Sequence, residues 1–125
     1  RACREACGPA VALKLIIESG ELGTPVMISQ ACAIGLGAGV DFLKTSTGKV
    51  PVNAMPEAAD LMLEAIAQAG GSCGFKAAGG IRTLDDAQAY LQLAAARLGE
   101  GWITPRHFRI GASALFAEIN TALAA

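Results

Sequence analysis

The sequence predicts an α/β protein built on a four-stranded parallel sheet, and three observations point there. Four short apolar runs recur along the chain: Val11–Glu18, Asp41–Thr45, Cys73–Ala77 and His107–Gly111. A polar or Gly-rich turn and then an Ala/Leu-rich stretch of helical period follows each run, the sequence form of a βα unit. Measured between Leu13, Phe42, Gly74 and His107, the runs lie 29, 32 and 33 residues apart, the length of one strand-loop-helix-loop unit.

Taken in order, Arg1 to Cys7 reads as the tail of a helix, and Val11–Glu18 is the first strand. Thr24 followed by Pro25 supplies an N-cap and a proline at the first helical position. Gly35, Gly37 and Gly39 serve packing and the end of that helix. After the second strand, Pro56 opens PEAADLMLEAIAQAG, closed by Gly70-Gly71. After the third, Thr83 precedes LDDAQAYLQLAAARLG, with Asp85 and Asp86 in the first turn, Arg97 in the last and Gly99 beyond, an order that complements the helix dipole. The last segment, Ala112 to Ala124, spaces Leu115, Phe116, Ile119 and Leu123 so as to lay one apolar face on the sheet. With no linker or low-complexity tract, residues 1–125 form a single domain.

Length and composition set the outer bounds. A chain of 125 residues, 53% hydrophobic and 17% charged, buries roughly two-thirds of its unfolded surface on folding and needs no disulfide or structural metal. Ten Lys+Arg against 11 Asp+Glu leave no electrostatic footprint for nucleic acid or an anionic membrane surface. Mean hydropathy is high at +0.44, yet the longest apolar run, Val11 to Ile17, is broken by Lys14 and falls far short of a membrane span of about 20 residues. No signal peptide is expected from RACREACGPA. Cys3, Cys7, Cys32 and Cys73 form no CxxC pair and are expected as buried free thiols in a reducing cytoplasm. Cys3 and Cys7 have no further metal ligands nearby.

Four βα units are half of a (β/α)8, or TIM, barrel, which takes about 250 residues. Such a half exposes two strand edges and an apolar concave face. A cover is expected, either a second copy or the remaining half of a barrel.

Lys14, Lys44 and Lys76 stand one per strand, with Arg109 at the corresponding place on the fourth. Strands buried on both faces avoid unpaired cations, so alternation is expected to turn Leu43 and Phe75 to the helices and the four cations, in register, to the concave side. Strands about 4.8 Å apart bring inward Lys44 and Lys76 within several Å of each other. Like charges at that range favour the neutral form of one amine, the nucleophile for a Schiff base with a carbonyl substrate.

The turns Ala77–Thr83 and Gly111–Ser113 each leave a strand and enter a helix. Their small residues let backbone N–H groups approach an anion at a helix N-terminus, and in eight-unit barrels the loops after strands seven and eight commonly hold phosphate. Other motifs fail. Thr47-Gly48-Lys49 lacks the earlier glycine and the following Ser or Thr of a phosphate loop, and Gly35-Leu-Gly37-Ala-Gly39 lacks the third glycine of a dinucleotide fingerprint. His107, at a strand start, is expected to be structural.

LKLIIESGEL, AGVDFLKTSTGKV, GFKAAGGIRT and RIGAS, in this order and spacing, closely resemble the deoxyribose-phosphate aldolases over essentially the whole chain. The resemblance implies a class I aldolase, free of metal and cofactor, that interconverts 2-deoxyribose 5-phosphate with glyceraldehyde 3-phosphate and acetaldehyde in deoxyribonucleotide catabolism. It implies that Lys44 is the Schiff-base lysine, Lys76 the second lysine that perturbs it and moves protons, and Lys14 a barrel-interior residue near the sugar. Thr45, Thr47 and Lys49 would line the substrate, and Gly79, Gly80, Gly111 and Ser113 would hold its phosphate.

The resemblance is to the C-terminal half of that barrel, strands five to eight. Ala77 stands where the family often has proline and Ala114 where a second serine often follows the first. The family's proton-relay aspartate lies on an earlier strand, and no residue of this chain corresponds to it. General acid-base steps contribute about 10²–10⁴-fold, so the alternative is an inactive phosphate-binding half-barrel.

Overall fold

The computed structural model describes all residues from Arg1 to Ala125. Four parallel strands, β1 (Lys14–Ile16), β2 (Phe42–Lys44), β3 (Gly74–Ala78) and β4 (Phe108–Gly111), lie side by side in chain order. Helix α1 (Ala2–Cys7) precedes them. Between strands run α2 (Ser19–Leu22), α3 (Pro25–Gly37), α4 (Pro56–Gln68) and α5 (Leu84–Leu98), and α6 (Ser113–Ala124) closes the chain. The fold is the expected parallel (βα)4 half of a TIM barrel. No helix is long and apolar enough to cross a membrane.

The helix starts follow from their first residues. Thr24 caps α3 by accepting from the Met27 amide, and Thr83 and Asp86 form a capping box at α5, each such cap contributing about 1 kcal/mol. Gly70 (φ 94°) and Gly71 (φ 75°) follow α4 in a conformation that side chains resist.

Helices cover one face of the sheet only. Leu43, Phe75 and Ala77 turn to that side and are sealed with Ile28 and Cys32 of α3, Met62, Leu63 and Ile66 of α4, and Tyr90 and Ala94 of α5. The opposite face, by strand alternation, carries Lys14, Ile16, Phe42, Lys44, Gly74, Lys76, Ala78, Arg109 and Gly111.

Several expectations need correction. The first strand does not reach from Val11 to Glu18: the Leu13 amide donates to the Asp41 carboxylate at 2.6 Å, and Glu18 turns left-handed, so ladder pairing is confined to Lys14–Ile16. The open face is cationic more than apolar, because its one large ring, Phe42, is buried beneath Lys14 and Arg109. In α6, Leu115 is buried and Ile119 packs on the core, but Phe116 and Leu123 face outward, 67% and 82% exposed. They fall outside the stripe that meets the sheet. Cys32 and Cys73 are buried, whereas Cys3 and Cys7 are exposed on α1, a helix that buries no residue.

Candidate active site

The site lies on the open face, at the end where the strands run into their helices. Lys44 and Lys76 are direct register partners on adjacent strands, and Arg109 is the next partner on β4. Lys14 departs from the expected row. It pairs with Phe42, two residues short of Lys44, and Ile16 takes the fourth register place. Arg109 shares the row only through its backbone, since its guanidinium turns back to donate to the Pro105 carbonyl at 3.1 Å and lies 4.4 Å from the Phe42 ring centre.

The face is therefore layered. Lys14 and Arg109 clamp Phe42 in the lower layer, with the Lys14 amine 5.2 Å from the ring centre, and such cation–π contacts add about 0.5–2 kcal/mol. Lys44 and Lys76, both half-buried, form the upper layer. Burial first, then the charges of Lys76, Arg109 and Lys44, hold the Lys14 amine below the usual lysine range.

Above this layer is an open cleft of about 310 Å³ in which Lys44, Thr47 and Gly48 face the turns holding Gly79, Gly80, Arg82, Gly111 and Ser113. Gly79 (φ 89°) and Gly80 (φ 83°) are left-handed, and a Cβ on Gly79 would stand 2.5 Å from that of Asn53. Gly111 makes room for Lys76, whose Cε would lie 2.9 Å from a Cβ there. Two of the first amides of α5 are occupied, that of Leu84 donating to the Glu118 carboxylate at 3.3 Å and that of Asp86 to the Thr83 hydroxyl at 3.1 Å. Just ahead of the helix, the amides of Arg82 and Thr83 donate to the Asp86 carboxylate at 2.9 and 3.0 Å and hold it below the usual range. Helix α6, by contrast, begins at Ser113 with no side-chain cap, so its N-terminal N–H groups are the ones left for an anion.

The cleft does not gather every residue picked from the sequence. Thr45 is fully buried, donating its hydroxyl to the Ala78 carbonyl at 3.3 Å and accepting from the Ala78 amide at 3.1 Å. It fastens β2 to β3. Lys49 is exposed beside the cleft, its amide donating to the Thr47 hydroxyl. His107 lies at the far end of the sheet, stacked on Trp102 at 5.3 Å. Two residues escaped the sequence reading: Arg82, which lines the cleft, and Glu18, which accepts from Thr47. Both are single charged residues in turns. A larger groove of about 760 Å³ between α5 and α6 is mostly apolar and holds no lysine or arginine.

Solved structures share this architecture. A Toxoplasma gondii protein assigned as a deoxyribose-phosphate aldolase, in its apo form, is 28% identical with a TM-score of 0.84, over 94% of this chain and 46% of its own. One from Coccidioides immitis, also assigned as a deoxyribose-phosphate aldolase, is 32% identical with a TM-score of 0.77, over 98% and 43%. The tetrameric deoxyribose phosphate aldolase of Aeropyrum pernix shares the fold at 21% identity and a TM-score of 0.65, over 92% and 42%. This chain thus spans less than half the length of each of these proteins. The model of the DeoC/LacD family aldolases matches residues 1–118, and the chain belongs to that family.

Proposed function

We propose that this chain is the C-terminal half of a class I aldolase, a single domain whose strands take places five to eight of the barrel. The completed barrel interconverts 2-deoxy-D-ribose 5-phosphate with D-glyceraldehyde 3-phosphate and acetaldehyde. The observation that carries this reading is the register pairing of Lys44 with Lys76 beneath a cleft walled by two small-residue turns.

In this mechanism the amine of Lys44 attacks C1 of the open-chain sugar, and loss of water leaves an iminium. The C2–C3 bond then breaks and its electron pair moves into the iminium, giving an enamine. The C3 hydroxyl loses its proton, and C3 becomes the aldehyde carbon of the three-carbon phosphate. A proton returns to C2, and water releases acetaldehyde and restores the amine. Lys76 takes the proton-moving part and Lys14 stands near the sugar. Thr47 and Lys49 line the approach. Gly79, Gly80, Gly111 and Ser113 hold the phosphate through backbone amides, while Thr45 acts by holding β2 against β3.

Borohydride reduction in the presence of acetaldehyde tests the assignment. The chain is expected to gain an ethyl group mapping to Lys44, and Lys44→Arg to lose it, because a guanidinium stays protonated and forms no imine. Undiminished labelling in Lys44→Arg would overturn the role.

A further inference from the structure

Glu18 is the one non-glycine residue with a left-handed backbone, φ 51° and ψ 58°. That region is sparsely populated for residues with a Cβ and persists only where the surroundings enforce it. Here both neighbours are pinned: the Ile17 amide donates to the Lys44 carbonyl at 3.0 Å and the Ser19 amide to the Thr45 carbonyl at 2.9 Å. Between these anchors the Glu18 carboxylate accepts the Thr47 hydroxyl at 2.6 Å and the Thr47 amide at 3.1 Å. The Thr47 hydroxyl accepts in turn from the Lys49 amide at 3.2 Å.

We propose that Glu18 is a positioning residue for the candidate site. It fixes the Thr47–Lys49 segment, and with it the cleft wall that faces the two glycine turns; the inference rests on the aldolase reading above. Glycine at position 18 would relieve the backbone but supply no acceptor, so the strained conformation is tied to the carboxylate. With its hydroxyl proton committed to Glu18, Thr47 shapes the cleft by position and donates no hydrogen bond to the sugar. Charge-assisted bonds of this kind are about twice as strong as neutral ones.

Glu18→Gly and Glu18→Gln test this in the 125-residue chain. Hydrogen exchange at the Thr47 and Lys49 amides is expected to quicken about tenfold in Glu18→Gly and less in Glu18→Gln, which keeps one acceptor. The Phe75 and Ala77 amides in β3 should be unmoved. The concentration of deoxyribose 5-phosphate that half-saturates borohydride trapping should rise about tenfold in Glu18→Gly at an unchanged maximal rate, with most of the loss recovered in Glu18→Gln. Unchanged Thr47 exchange overturns the proposal, and so does faster exchange with unchanged half-saturation, which leaves Glu18 a role in the fold alone. Absence of trapping in the parent chain, seen before any variant is made, overturns the aldolase reading and this role with it.

Discussion

Gly74 lies against the ring of Phe42 with no room for a side chain: a Cβ there would stand 2.5 Å from Cε1 and 2.6 Å from Cζ. The missing methyl lets Phe42 lie flat on the open face, where Lys14 and Arg109 close over it. Gly74→Ala should push the ring outward, as overpacking does, and lower stability by about 1–3 kcal/mol. Urea unfolding checks this, and an unchanged midpoint would show that the ring shifts freely.

The depressed Lys14 amine makes stability depend on pH in a defined sense. In the folded chain burial and three neighbouring cations disfavour its proton, so the unfolded chain binds more protons below the ordinary lysine value of 10.5. Stability should therefore rise with pH as the folded group titrates, up to about that value. Lys14→Met removes this contribution. The variant also loses the contact with Phe42, but its stability relative to the parent should be highest at pH 7 and fall toward pH 10; a difference constant with pH would contradict the sign.

Burial pushes the thiols of Cys32 and Cys73 up to about 11, while Cys3 and Cys7 lie exposed. Because the thiolate is the nucleophile, iodoacetamide at pH 8 should modify two cysteines of the native chain and all four once urea unfolds it. Intact mass counts them directly, and early modification of Cys32 would show that α3 opens locally.

These sites show what was legible in the sequence. Strand positions were, because Leu43 beside Lys44 and Phe75 beside Lys76 place an apolar core residue next to a cation, and only alternation accommodates both. Helix starts were, because Thr24, Pro25, Pro56 and Thr83 act through local backbone chemistry. The register of Lys14 was not. It is set by the Asp41 and Phe42 amides donating to the Leu13 carbonyl at 2.8 and 3.2 Å, bonds between segments 28 residues apart that no spacing rule encodes. The direction of Arg109 likewise depends on the Pro105 carbonyl. The burial of Thr45 could have been inferred, since the residue after an inward lysine points to the helices. Glu18 stands within the LKLIIESGEL motif, but its bonds to Thr47, 29 residues on, follow from no strand or helix period.

Ser113 offers a clean test of the anion site. As the first residue of uncapped α6 it is exposed in the cleft, and an aspartate there suits the helix dipole and should leave the fold intact. Ser113→Asp should weaken deoxyribose 5-phosphate at least about tenfold by charge repulsion, while acetaldehyde trapping continues. Calorimetry with inorganic phosphate and trapping with acetaldehyde separate the two effects; equal losses for both ligands would place the phosphate elsewhere.

Closure of the sheet is the remaining requirement, since the outer edges of β1 and β4 have no strand partner in this chain and unpaired edges invite pairing. We propose that the 125-residue chain alone closes by pairing β1 of one copy with β4 of another about a two-fold axis, which satisfies both edges in one isologous contact. The N-terminal half of a barrel would occupy the same place when present. Light scattering should return twice 12.7 kDa, and a folded monomer at that single mass would overturn closure by a second copy. The homodimer would hold two Lys44 and two Lys76 but not the relay aspartate that the family resemblance assigns to an earlier strand. It should trap acetaldehyde yet cleave deoxyribose 5-phosphate about 10²–10⁴-fold more slowly than a barrel carrying that carboxylate. Equal cleavage rates for the two assemblies would show that Lys76 moves the protons unaided.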